Sequence, residues 1–488
     1  MRSGTTLLAY ADRLGGDIPR LHALLEGPLA DFSGVHLLPF FTPFDGDDTG
    51  FDPIDHATVD PRLGTWADVK AIGGEVMADL IVNHVSADSA EFVDWLALGA
   101  ASEHDGMFLT FDTVFPNGAT AAEITAFYRP RPGLPFTAYR GGDGSRHLVW
   151  TTFMPSQVDL DAKHPAAHAY FDRVLTALRE GGVTTVRLDA VGYAIKTPGT
   201  DSFMTPETLA FVAEIASMVR NAGMRVLVEV HAHYSQQLAI APLVDLVYDF
   251  ALTPLLLHAF VTGDVARLDD WLSIRPENAL VVLDTHDGIG VIDAGPAAGL
   301  PGLIDESEMA AIFAAAAVAT AGHSTVASVL PAWTSIPHQI NATLYSAIGD
   351  ARNYLIARAV QFFVPGEPQV YYVGLLAGRD DIAQFEHTGQ GRDVNRHVYT
   401  DDEFETALRQ EVPQAILGLV RLRATHPAFD GQFAHSASGD TLTLRWTSER
   451  ASATLVATVS TGDLAITLSD DGSVTVLDSP AALAGFGS

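Results

Sequence analysis

The chain has 488 residues, 48% of them hydrophobic, which is enough to bury a large core and one or two accessory units. Its 60 acidic and 28 basic side chains leave a formal charge of −32, which disfavours a nucleic-acid partner and requires any anionic ligand to be held by local cations. With no cysteine there can be no disulfide and no thiolate metal site. No apolar run is long enough to span a bilayer, and residues 1–20 lack the pattern of a secretory leader, so a soluble cytoplasmic protein without a membrane partner is expected.

In chain order, strand-like runs fall at residues 5–10, 35–40, 75–82, 184–190, 225–230, 246–250, 280–284 and 369–373, with helical patterns between them. Eight strands alternating with helices predict a (β/α)8 TIM barrel made of residues 1–82, 163–287 and 350–430. The gap after the third strand is too long for one helix, so residues 83–162, rich in Pro, Gly and aromatics, are expected to form an inserted lid domain. Residues 288–349, with an alanine-rich helix over 309–321, are expected to form a second one. Alternating runs at 441–447, 453–459, 464–468 and 473–477 predict a C-terminal antiparallel β-domain over 431–488.

Chemistry is expected where barrel strands end. The run VTTVRLDAV (183–191) places Arg187 and Asp189 two residues apart, on one face of a strand. RVLVEVH delivers Glu229, and ALVVLDTHD delivers Asp284, His286 and Asp287. Carboxylates at three strand ends suit glycosidic-bond chemistry, with one as nucleophile, one as general acid and one stabilising positive charge.

The segments DLIVNH, RLDAVGY, LVEVH and LDTHDGIGV resemble, in order, the four signature regions of the α-amylase superfamily (glycoside hydrolase family 13). FFTPFDGDDTGFDPIDH, YRPRPGLPFT, QVYYVGLLAG and GRDVNRH are similar to the sucrose phosphorylase branch, and the likeness runs from about residue 10 to about residue 397. The resemblance implies a retaining disaccharide phosphorylase that needs no cofactor and no metal. Asp189 would be its nucleophile, Glu229 its acid/base and Asp287 its transition-state stabiliser. The low pKa that a nucleophile needs would come from Arg187. Glucose contacts would come from His84, His286, Phe51, Phe153, Gln157, Tyr193 and His231, with Asp48 and Arg396 closing the far side of the ring.

The acceptor side departs from the branch. Sucrose phosphorylases typically carry Asp-Leu-Tyr-Gln after the seventh strand, with the Asp on fructose, whereas this chain has Ile336-Pro337-His338-Gln339. Losing that negative charge while His338 joins Arg131 of the RPRP segment favours a phosphate monoester. Sucrose 6'-phosphate, cleaved by inorganic phosphate to glucose 1-phosphate and fructose 6-phosphate, is then the expected substrate. Unphosphorylated sucrose, glucosylglycerol and glucosylglycerate are the alternatives within the branch. A hydrolase would share the three carboxylates, and an inactive binding barrel would be expected to lose at least one.

Overall fold

Eight short parallel strands close on themselves in a computed structural model that describes residues 4–129, 133–297, 299–328, 337 and 339–487. They are β1 (Thr6–Ala9), β2 (Gly34–Leu37), β3 (Glu75–Ile81), β4 (Thr185–Asp189), β5 (Arg225–Val228), β6 (Leu246–Tyr248), β7 (Ala279–Val281) and β8 (Glu367–Tyr371). Each pairs with the next in chain order, and β8 closes on β1 with Gln369 beside Thr6. Burial on both faces explains why these strands read as apolar runs without alternation. Met77, Leu227, Tyr248 and Leu280 fill the interior, where Gln369 donates to Thr6 Oγ1 at 3.2 Å. The centre is therefore a packed core and not a pore.

The outer helices form where capping and periodicity agree. Pro165–Glu180 and Pro206–Asn221 each carry proline in the first turn behind a capping side chain, His164 and Thr205 respectively. The first buries Tyr170, Phe171, Val174 and Leu178, a helical stripe that packs toward the sheet.

All eight expected runs carry barrel strands, but several end earlier than the apolar pattern does. β7 stops at Val281, so Asp284 lies beyond it, and its two carboxylate oxygens take Arg358 Nη2 at 2.8 Å each. Tyr372 and Val373, read as the end of the last strand, instead begin the helix Tyr372–Leu375. Between β3 and β4 lie the helix Ala90–Leu98 and two antiparallel pairs, His84–Ser86 with Gln157–Asp159 and Phe136–Arg140 with Arg146–Trp150. After β7 come the helix Glu306–Ala319 and the short pair Ile289–Gly290 with Gln339–Ile340.

The C-terminal sheet has five strands, one more than expected. The addition, Gln432–Ser438, reads QFAHSAS, and none of its residues is fully buried, so small and polar positions hid its alternation. The sheet is fastened to the barrel by Trp446, whose Nε1 donates to Phe363 O at 2.6 Å.

Arg358 is fully buried and also meets Tyr354 and Gln361. Any side chain at Gly374 would come within 1.9 Å of Asp284 Oδ2, so the pair is tightly enclosed. Replacing one partner leaves an uncompensated buried charge, and Arg358→Ala should cost about 3–5 kcal/mol. A urea melt reads this as a lower midpoint, and an unchanged midpoint would remove the pair from the account of stability.

Candidate active site

A cavity of about 720 Å³ opens at the C-terminal ends of the barrel strands. Asp189 is the last residue of β4, and Ala190 after it turns with φ +56°, an uncommon conformation for a residue with a side chain. Glu229 follows β5 directly, and Asp287 lies in the loop after β7. All three carboxylates line the cavity.

The two-residue spacing in β4 has the expected consequence. Arg187, only 2% exposed, sends Nη1 to Asp189 at 3.1 Å and Nη2 toward Glu229 at 3.7 Å. Behind it, Asp79 in β3 accepts from the same guanidinium and lies 3.3 Å from His36 Nε2. One cation therefore holds two wall carboxylates and is itself held by a third from below. Arg187 sits behind the cavity wall and does not line it.

Burial pushes the Asp189 carboxyl well above its usual range, with Arg187 opposing and the Glu229 charge adding to the rise. Arg187 does lower it, as expected, but the low net value expected for the nucleophile is not found, because desolvation and neighbouring carboxylates outweigh one guanidinium. Asp287 behaves oppositely. Burial would raise it, but Arg392, His286, His231 and Arg396 together hold it well below the usual carboxylate range. Burial drives His286 and His84 down, leaving neutral imidazoles that can exchange hydrogen bonds with hydroxyl groups. His231 is raised to about 9: burial works against its charge, but Asp293, Glu229 and Asp287 outweigh it.

The far wall is assembled from several loops. Phe51 stacks on His286 with ring centroids 4.9 Å apart and 9° between planes. His84 Nε2 meets Phe51 O at 2.9 Å, and Phe153 packs against both His84 and Tyr193. Gln157 is fully buried behind this wall, bonding Asp48 at 3.2 Å and His84 at 3.1 Å. Arg396 spans Thr49 and the His286 carbonyl, at 2.9 Å each, so Asp48 and Arg396 face the cavity from neighbouring anchors. Lys196 fastens this side, its ammonium bonded to Asn83 Oδ1 at 3.0 Å and to Asp159 at 2.7 Å.

Gln339 lines the cavity, whereas Arg131 and His338 lie outside the described residues. Asp284, at a strand end but engaged by Arg358, does not line this cavity. Three contacts to the site were missed from sequence. Arg392 reaches Asp287 at 2.6 Å, Asp293 holds His231 Nδ1 at 3.0 Å, and Asp79 supports Arg187. Arg392 stood in GRDVNRH, four residues before Arg396, and that spacing was the available signal. Glu229, His231 and Asp287 bring their ligand atoms within 4.8 Å of one another, but the charge on His231 and the arginine on Asp287 already satisfy that cluster.

A family model described as the α-amylase catalytic domain matches residues 30–259. The chain is 49% identical to a sucrose phosphorylase of Agrobacterium vitis, over 96% of this chain and 98% of the relative. It is 45% identical to a sucrose phosphorylase of Bifidobacterium adolescentis, over 93% and 92% respectively. Among solved structures, a sucrose 6F-phosphate phosphorylase from Thermoanaerobacter thermosaccharolyticum superposes with a TM-score of 0.91 at 34% identity, covering 98% of each chain.

The His231–Asp293 pair has a pH signature. Its pKa rises from the ordinary 6.5 to about 9 on folding, so its stabilisation is fully present below pH 6.5 and is lost as pH rises through about 9. The stability gap between the wild type and His231→Asn should narrow by on the order of 3 kcal/mol across that window. Urea melts at several pH values check this. A gap independent of pH would show that the histidine is neutral.

Proposed function

The chain belongs to the sucrose phosphorylase branch of the α-amylase superfamily, and from the geometry of its site we propose that it transfers a glucosyl unit to inorganic phosphate with retention of configuration. The observation that carries this reading is the clamp of Asp189 and Glu229 on one buried guanidinium, facing Asp287 across the cavity. Asp189 attacks the anomeric carbon, and the leaving oxygen takes a proton from Glu229. Burial raises the proton affinity of Asp189, so the nucleophile must ionise against Arg187 when a donor binds. Asp287, kept anionic by its cationic neighbours, stabilises the oxocarbenium-like transition state. Phosphate then attacks the β-glucosyl ester, Glu229 takes its proton, and the second inversion gives α-glucose 1-phosphate.

Neutral His84 and His286, together with Asp48 and Arg396, close the far wall, which limits the donor to one terminal glucosyl residue. No step needs a metal or a redox cofactor. The leaving group we assign first is fructose, since the chain shares 49% and 45% identity with relatives named for sucrose. A phosphorylated fructosyl unit is the second reading. Its support is the loss of the acidic residue in Ile336-Pro337-His338-Gln339, the presence of Arg131, and the likeness to a sucrose 6F-phosphate phosphorylase.

Two experiments test this function. Asp189→Asn should abolish turnover of every glucosyl donor, whereas Glu229→Gln should stop sucrose cleavage yet still accept glucosyl fluoride, whose leaving group needs no proton. Equal loss on both donors in Glu229→Gln would reject the acid role, and a β-phosphate product would reject the double displacement.

Phosphorolysis of sucrose and sucrose 6'-phosphate by the wild type, His338→Ala and Arg131→Ala decides the leaving group. If the second reading holds, either variant loses roughly one to two orders of magnitude on the phosphorylated donor and much less on sucrose. A wild type that prefers sucrose, with the variants unchanged in that preference, establishes the first.

A further inference from the structure

The proposed reaction brings a dianion into a cavity lined by carboxylates, in a chain of net charge −32. Some cation near Glu229 must therefore receive it. Among the described residues, the arginines lining the cavity are Arg13, Arg392 and Arg396. Two of them are committed elsewhere. Arg13 is 9% exposed and gives Nη1 to the Arg396 carbonyl at 2.7 Å. Arg396 is 4% exposed and is spent on Thr49 and the His286 carbonyl.

Arg392 differs in each respect. Its side chain is 36% exposed, and among the described residues its partners are Asp287 Oδ1 at 2.6 Å and Gln339 Oε1 at 3.5 Å, the latter at the limit of a hydrogen bond. Asp287 is a carboxylate that a bound glucosyl unit would claim, and its ligand oxygen lies within 4.8 Å of the charged His231 and of Glu229.

We infer that Arg392 is the phosphate-selecting residue of this site, its guanidinium leaving Asp287 when a glucosyl unit occupies that carboxylate and then holding the attacking phosphate beside Glu229. The inference rests on the phosphorylase reading above and specifies which residue enforces it. A guanidinium offers two parallel N–H donors to a phosphate, and this planar fork suits an oxyanion better than it suits a neutral sugar hydroxyl. In the step it serves, a phosphate oxygen forms the bond to the anomeric carbon. The bond to Asp189 breaks with its electron pair returning to the carboxylate, and the phosphate O–H proton passes to Glu229. Once Arg392 leaves, the charged His231 and Arg396 still face Asp287.

The test divides the reaction into its two halves. With glucosyl fluoride as donor, fluoride release reports formation of the glucosyl-enzyme. The apparent KM for inorganic phosphate, and the partition of the intermediate between phosphate and glycerol as a neutral acceptor, report the second half. Arg392→Gln should raise the phosphate KM by about 10-fold or more and shift the partition toward glycerol and water, a larger effect than any loss in fluoride release. Arg392→Lys, which keeps the charge but not the fork, should fall between that variant and the wild type. Loss of both halves in equal proportion, or a phosphate KM within about twofold of wild type in both variants, overturns the assignment. Failure of the parent reading is separate and is seen in the wild type alone, as an intermediate that never passes to phosphate.

Discussion

Arg187 is the charge on which the site depends. A guanidinium 2% exposed within a barrel is tolerable only if anions compensate it, and three do: Asp79 beneath, Asp189 beside it and Glu229 across the strand gap. These come from β3, β4 and the end of β5, which are adjacent in the closed sheet. The relation also runs the other way. Two carboxylates sharing a cavity wall repel each other, and the cation lets them sit close enough to act on one bond. His36 at 3.3 Å from Asp79 extends the support to β2, so four consecutive strands converge on a single ion cluster.

Much of this was legible in the chain because it depends on short-range spacing. The alternation in VTTVRLDAV fixed which side chains share a face, and the Arg187–Asp189 contact follows from it. Strand ends were less legible. The apolar run 280–284 continues past the last paired residue, Val281, because Val282 and Leu283 are buried by packing and not by ladder pairing. Gln432–Ser438 escaped notice for the opposite reason: it pairs along its whole length, but its inner face of Phe433, His435 and Ala437 is only half-buried. Long-range partners were harder still. Nothing local to Asp293 announces that it will hold His231, and nothing in Arg392 announces Asp287, since each contact is made by loops that only the closed barrel brings together.

The pKa of Asp189 shows where a spacing argument stops. A cation two residues away must lower a carboxyl pKa, and Arg187 does act in that direction. The sign of the total depends on burial and on Glu229, neither of which is contained in the dipeptide spacing. Asp287 is equally enclosed yet has the opposite sign, because several cationic neighbours converge on it from separate loops. The barrel thus shifts two enclosed carboxyls in opposite directions by the number of cations each one meets.

That sorting matches the demands of the proposed chemistry. A double displacement needs one carboxylate that never changes charge, to follow the positive character at the anomeric carbon, one that acts as nucleophile, and one that gives a proton and then takes one. The anionic Asp287 is the one flanked by Arg392 and Arg396, with the raised His231 facing both it and Glu229, while the nucleophile Asp189 pairs with Arg187. A proton that burial favours on Asp189 must be given up before that carboxylate can attack, and Arg187 is the cation that supports its ionised form. Cationic groups therefore stand where the proposed chemistry needs negative charge, around Asp287 and behind Asp189.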